Sequence, residues 1–145
     1  MKVSTKGQYA LRIMLDFAEH KNDGFIRLRE VAARQGISKA YLEQIMLLLN
    51  KTDFFVTARG YQGGYQLARP PRSYTAGEVL RVTEGTLAPV DTAEAPGANI
   101  DLRVSAMVDD VWQGLADLVS DYLDSITLQD LLDRHVDTVG FDYCI

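Results

Sequence analysis

A short stretch of the chain carries side chains that can read the edges of DNA bases. Gln44 can form paired hydrogen bonds with adenine, Glu43 can accept from cytosine N4, and Ala40 can pack on a thymine methyl group. Ser38, Lys39 and Tyr41 at the start of the helix suit phosphate contacts, which the N-terminal end of a helix also favours. The residues predicted to contact DNA here are Ser38, Lys39, Ala40, Tyr41, Glu43 and Gln44. Without supporting neighbours, the same face would be an ordinary solvated helix surface.

A second group follows at residues 59–65, which read Arg-Gly-Tyr-Gln-Gly-Gly-Tyr. Arginine suits a phosphate or a narrow minor groove, and glycine lets the backbone approach either one closely. β-rich runs at 54–58 and 65–68 flank this turn, so the pattern predicts a hairpin, or wing. The wing residues predicted to contact DNA are Arg59, Gly60, Gly63, Gly64 and Tyr65.

Apolar residues at helical spacing predict the elements that position these groups. A first helix begins at Ser4–Thr5, where Thr5 and Gln8 fit a capping box, and a second ends at Gly36. Ser38 caps the third helix. Its predicted buried stripe is Leu42, Ile45, Met46 and Leu49. Helix, turn, helix and hairpin form a winged helix-turn-helix domain, predicted over 1–72.

The second half, residues 73–145, is predicted to be helical apart from a loop at 86–101 and a tail from residue 137. Thr75 and Glu78 fit a capping box, Thr127 caps a last helix, and a long helix lies between them at about 102–124. Its apolar residues alternate in steps of four and three, which is typical of a helix–helix seam and predicts a homodimer. The predicted dimer residues are Val108, Val111, Leu115, Leu118 and Tyr122, with Val104 ahead of them. The alternative is that this helix packs only on its own domain. The fold class is therefore mainly α with a small β-hairpin.

Charge is divided unevenly between the two halves. Residues 1–72 hold 12 Lys and Arg against 6 Asp and Glu, whereas residues 73–145 hold 3 against 14. A basic half favours nucleic acid, and the acidic half should face away from phosphate. A second interpretation is a winged-helix module that binds proteins through its acidic half.

Other classes of protein find little support in the sequence. No P-loop, HExxH motif, nucleophile elbow or Cys–His pairing is present, so no enzyme is predicted. The single cysteine, Cys144, can form no internal disulfide and no cysteine-rich metal centre. No apolar run reaches membrane-spanning length, and the first twenty residues lack the features of a signal peptide, so a soluble cytoplasmic protein is expected.

The chain resembles the Rrf2 family of bacterial winged-helix regulators. The resemblance lies in MKVSTKGQYALRIMLDFA, RQGISKAYLEQI, RGYQGGYQLARPP, TAGEVLRVTEG and LDSITLQDLL, and it runs from residue 1 to about 132 outside the loop. It implies homodimers that bind palindromic promoter DNA and a long crossed dimer helix, and the leading hypothesis is a dimeric repressor. By position, Ser38, Tyr41, Glu43 and Gln44 match the family's recognition helix, and 59–65 match its wing.

One departure from the family and one further resemblance bear on the expected cofactor and partner. Members that bind an iron–sulfur cluster carry three cysteines in the loop, and residues 91–101 have none, so no cofactor is expected. A cluster-free chain with an aromatic tail resembles the cysteine-metabolism branch, which implies O-acetylserine sulfhydrylase as a partner. The tail residues predicted to dock there are Phe141, Tyr143 and Ile145, since a terminal carboxylate can be captured by backbone amides. The alternative is that Phe141 and Tyr143 pack back on the dimer.

Overall fold

The computed structural model describes residues 2–90 and 101–134. In chain order it contains α1 (Thr5–Glu19), α2 (Leu28–Gln35), α3 (Lys39–Leu49), β1 (Phe55–Ala58), β2 (Gly64–Leu67), α4 (Ala76–Glu84) and α5 (Leu102–Asp124). Short 3-10 turns follow α1 and β2, and helical residues 128–134, named α6 here, reach the end of the described part. The predicted mainly α fold with one hairpin is confirmed. Most of the predicted loop, at 91–100, and the tail with its docking residues lie outside the described residues.

The start of α1 differs by one residue from the sequence prediction. Ser4, not Thr5, is the N-cap, and its hydroxyl accepts from the Gly7 amide at 3.0 Å. The predicted capping box of Thr5 with Gln8 is therefore wrong. Ser4 is selected because its amide and hydroxyl both donate to the Glu84 carboxylate of α4, at 2.9 and 2.6 Å. A tertiary contact decides here between two adjacent hydroxyl residues.

The core lies among the first three helices and extends into the second half of the chain. Apolar faces of α1, α2 and α3 meet there, which is the usual source of stability for short amphipathic helices. The fully buried large side chains are Tyr74, Phe17, Phe54, Ile13, Met14, Leu42, Ile45, Met46, Leu49, Leu128, Val31 and Val79. The predicted stripe of α3 is thus confirmed as buried. Tyr74, Val79 and Leu128 belong to the same cluster, so this core crosses the predicted boundary after residue 72.

The wing is a two-stranded antiparallel hairpin, as predicted. Phe55 pairs with Leu67 and Ala58 with Gly64. The hairpin is also tied to the segment before α2, because Ile26 and Tyr65 exchange two backbone hydrogen bonds of 2.8 Å each. The wing therefore has a fixed place beside the helix-turn-helix.

The helices of the second half are joined to one another by backbone hydrogen bonds and by an ion pair. The Ala76 amide donates to Ile126 O at 2.8 Å, and the Leu128 amide donates to Tyr74 O at 3.0 Å, which couples the starts of α4 and α6. The Asp124 carboxylate at the end of α5 accepts from Arg81 of α4 at 2.6 and 2.9 Å.

Helix α5 has the bounds predicted from the sequence, but it buries no residue completely within one chain. An apolar row, called the α5 stripe below, lies along one side. The α5 stripe consists of Val104, Val108, Val111, Leu115, Leu118 and Tyr122. All but the half-buried Leu115 are exposed. In the two described ranges, no helix combines the length and the apolar character needed to cross a membrane.

Candidate nucleic-acid interface

The outward face of α3 presents the predicted base-reading side chains to solvent. Ser38 is the N-cap, as predicted, and its hydroxyl accepts from the Tyr41 amide at 3.1 Å. Ala40, Glu43 and Gln44 are exposed on the side opposite the buried stripe. The side-chain amide of Gln44 forms no hydrogen bond with any described residue. Both ends of its amide are therefore free to bind a base edge.

Lys39 and Glu43 lie one helical turn apart and form a loose ion pair. Lys39 Nζ is 3.8 Å from Glu43 Oε1, and both side chains are more than half exposed. An exposed pair of this kind contributes about 0.3–0.5 kcal/mol, so either side chain can leave it to meet a ligand.

Tyr41 is placed differently from the other predicted contacts. Its half-buried ring stands edge-on to Tyr9 of α1, with centroids 5.7 Å apart. The Arg12 guanidinium lies over the other ring, 4.9 Å from the Tyr9 centroid, and also donates to the Gln35 side chain at 3.2 Å. Tyr41 thus links α3 to α1 while keeping part of its surface accessible.

The wing residues divide into two groups. Arg59 and Gly60 are exposed, and Arg59 makes no ion pair within the described ranges. Gly63 is buried, and a Cβ there would collide with the carbonyl of Ala58. At Gly64 a Cβ would meet the backbone of Ile26. These two glycines are needed for packing inside the protein. From the sequence, their role was predicted to be a close approach of the backbone to DNA.

Tyr65, the last predicted wing residue, contributes to both the hairpin and the core. Its half-buried ring is 6.0 Å from the ring of Phe55 in an edge-on arrangement. Because its backbone also pairs with Ile26, Tyr65 anchors the wing to the segment before α2.

Arg69 anchors the far end of β2 to α4. Its guanidinium lies 4.3 Å from the Tyr74 ring centroid and donates to Glu78 at 2.8 Å, and this hydrogen bond raises the pKa of Arg69. Thr75 accepts from the Glu78 amide at 3.0 Å, so it caps α4 as predicted. The Glu78 carboxylate, however, binds Arg69 rather than returning to Thr75.

A cleft between α3 and the wing contains basic residues that the sequence reasoning missed. The wing cleft, as it is called below, is lined by Arg27, Arg29, Lys39, Glu43, Gly60 and Gly63, among others. The Arg27 guanidinium lies over the ring of Tyr61, 5.3 Å from its centroid, at the tip of the wing. The available signal was the pair of arginines around Leu28 at the start of α2. Their approach to the wing depends on tertiary structure.

The fold and site define a winged-helix DNA-binding protein. A family model described as "Rrf2: Iron-dependent Transcriptional regulator" matches residues 3–134. The chain belongs to the Rrf2 family of transcriptional regulators.

Relatives and solved structures agree with this membership. The HTH-type transcriptional regulator CymR of Bacillus subtilis is 37% identical over 90% of this chain and 89% of its own length. The regulator IscR of Cereibacter sphaeroides is 36% identical over 91% of this chain and 87% of its own. The structure titled as CymR, the global cysteine regulator of B. subtilis, has a TM-score of 0.77 at 34% identity, covering 92% of this chain and 98% of that one.

The family is described as iron-dependent, so the side chains of this chain that could ligate an iron–sulfur cluster are of interest. Thiolates are the usual ligands of iron–sulfur clusters, typically four per cluster, and the whole chain has one cysteine. Among residues 2–90 and 101–134, no group of three or more His, Cys, Asp or Glu side chains could hold a metal ion. With one cysteine, the chain does not provide the thiolates that a typical iron–sulfur cluster requires.

Proposed function

We propose that this protein is a cytoplasmic, dimeric, cluster-free repressor that binds a palindromic promoter site through α3 and the wing. The observation that carries this proposal is the outward face of α3, where the Gln44 side chain is exposed and without a hydrogen bond, and where Lys39 and Glu43 line the basic wing cleft. Exposed Arg59 extends the positive charge along the hairpin. Membership of a family of transcriptional regulators supports the same function.

The dimer is proposed from the α5 stripe. An apolar row along a helix of 23 residues, almost wholly exposed in one chain, is costly in water unless a second surface covers it. The four-three spacing of the stripe suits another copy of the same helix. Two recognition helices related by a two-fold axis then reach major grooves one turn apart, about 34–36 Å, or a multiple of this distance. A palindromic site follows from that symmetry.

Selection of duplexes from a random library by the purified full-length protein tests this function. We expect enrichment of an inverted repeat and, in cells, increased expression from a reporter carrying that repeat when the protein is absent. Enrichment of no sequence would instead favour the protein-binding module that acts through the acidic half. A reporter that loses expression when the protein is absent would make it an activator.

We further propose that this regulator controls cysteine metabolism. This control is supported by the similarity to CymR and by a donor set that does not suit a cluster. O-acetylserine sulfhydrylase is the proposed partner, with Phe141, Tyr143 and Ile145 as the docking tail. Calorimetric titration of this enzyme with full-length protein and with a variant lacking Ile145 tests the partner. Loss of binding in the truncated variant alone would support docking, and equal behaviour of the two forms would contradict it.

A further inference from the structure

We propose that the wing cleft is a binding site for one backbone phosphate of DNA, and that Tyr61 is a positioning residue that holds Arg27 at this site. The proposal rests on the proposed function and deepens it. It assigns a sequence-independent contact to Arg27 and Arg29, which lie outside both the base-reading face of α3 and the exposed Arg59.

The charge and shape of the wing cleft suit a phosphodiester. Three cationic side chains reach it from two elements: Arg27 and Arg29 at the start of α2, and Lys39 in the first turn of α3. Arg27 and Arg29 form no ion pair with any residue of the described ranges, so their charges are uncompensated. Guanidinium groups also bind phosphate oxygens in a bidentate manner.

The carboxylate of Glu43 also lines the wing cleft, where it competes with a bound phosphate for Lys39. Glu43 Oε1 is 3.8 Å from Lys39 Nζ, so the two opposite charges lie close together in the wing cleft. A phosphate that approaches Arg27 would compete with Glu43 for Lys39. The exchange would release Glu43 toward a base edge, since this side chain is exposed on the outward face of α3.

Tyr61 fixes the geometry of the site. Tyr61 is 88% exposed, and the Arg27 guanidinium lies over its ring, 5.3 Å from the centroid. A cation held over an aromatic face loses fewer rotamers when it binds an anion. The contact also joins the wing tip to α2, so the hairpin and the helix-turn-helix approach one strand of DNA as a unit.

The test measures affinity and its salt dependence on two duplexes, one carrying the library-selected site and one with that site scrambled. In a dimer, Arg27→Gln removes one phosphate contact per protomer. The slope of log affinity against log salt should therefore fall by about 1.8, with roughly a tenfold to hundredfold loss at 0.1 M salt. The loss should be the same on both duplexes, because phosphate contacts carry no sequence information. Arg103→Gln, on exposed α5, is the matched control and should change neither quantity.

Two variants of Tyr61 separate positioning from direct contact. Tyr61→Phe keeps the ring and should bind as the wild type does. Tyr61→Ala should lose affinity severalfold, and it should lose none when Arg27 is already glutamine. An equal loss in both backgrounds would overturn the positioning role.

The assignment of the wing cleft as a phosphate site can be contradicted separately from the role of Tyr61. Unchanged affinity and salt slope in Arg27→Gln, or a loss confined to the selected duplex, would overturn the phosphate assignment. If the wild type shows no preference for any duplex, the proposed function fails instead, so the two failures are distinguishable. Circular dichroism of each variant verifies that it is folded.

Discussion

The buried carboxylate of Asp16 accepts hydrogen bonds from Arg34 Nε and Nη2 at 3.0 and 2.7 Å, and these bonds join α1 to α2. Gln35 donates to the same carboxylate at 2.9 Å. The Asp16 side chain is 2% exposed, whereas Arg34 is 35% exposed, and the hydrogen bond to Asp16 raises the pKa of the guanidinium. Because α2 leads directly into the turn before α3, this pair sets the position of the recognition helix.

Arg34→Met should destabilise the protein by about 2–4 kcal/mol, because it leaves a buried carboxylate without its cationic partner. Urea unfolding at pH 7 measures the effect. Asp16→Asn in the same background should recover part of the loss, since the uncompensated charge is then removed. Arg29→Met, on the exposed side of α2, is the control and should cost less than about 0.5 kcal/mol. Equal stability of Arg34→Met and Arg29→Met would contradict this role.

The pair formed by Arg81 and Asp124 should make stability depend on pH in acid. Hydrogen bonds from Arg81 lower the pKa of Asp124 below its usual value. The stabilisation is therefore complete above the unfolded-state pKa, about 3.9, and is lost as the pH falls through the lower folded-state value. Asp124 is 45% exposed, which limits the contribution to about 1 kcal/mol or less.

Urea midpoints at pH 7 and pH 3 test that dependence. Asp124→Asn should be less stable than the wild type at pH 7, and the difference should shrink at pH 3. Asp121→Asn, exposed on the same helix, should show no such difference at either pH. A constant gap for Asp124→Asn would assign its effect to packing rather than to charge.

Leu118→Asp should convert the proposed dimer into a folded monomer. Leu118 is 70% exposed in one chain, so the change costs the monomer little, but it places an unpaired charge in the proposed seam. Light scattering at micromolar concentration measures the mass. Leu102→Asp is the matched control, because Leu102 is 69% exposed on the same helix but lies outside the α5 stripe. A monomeric wild type, or dimers from both variants, would show that the α5 stripe does not form the interface.

Gly63→Ala should distort the wing without unfolding the helices. The added methyl group would collide with the carbonyl of Ala58, which is backbone and cannot move aside cheaply. We expect altered amide resonances through the hairpin and about a tenfold or greater loss of DNA affinity, comparable with the loss of one or two phosphate contacts. Gln62→Ala, at the exposed neighbouring position, should keep the wild-type hairpin. Unaltered hairpin resonances in Gly63→Ala would contradict the packing role of this glycine.

Local patterns were sufficient to predict most of the elements. Ser38 was correctly placed because a hydroxyl residue after Gly36 and before an apolar stripe is a strong cap signal. The bounds of α5 were also correct, since its apolar residues keep the four-three spacing from Val104 to Tyr122. The start of β2 was placed one residue late, because Gly64 has no side chain to show the alternation and pairs with Ala58 through its backbone.

Contacts between residues far apart in the sequence could not be predicted from local patterns. Asp16 and Arg34 look like ordinary surface charges in sequence, and only the packing of α1 on α2 buries the carboxylate. Arg27 and Tyr61 are 34 positions apart, and their approach depends on the backbone pairing of Ile26 with Tyr65. The sequence therefore indicated which helix could read DNA, while the contact between the start of α2 and the wing required the tertiary structure.

The central claim, that the outward face of α3 reads bases, is tested most directly by Gln44→Ala on the selected duplex and on its single-base variants. We predict that the wild type discriminates against changes at one symmetric pair of adenines by about 1–3 kcal/mol per site, and that Gln44→Ala loses this discrimination while its salt slope stays the same. Equal discrimination by the two proteins at every position would contradict the account.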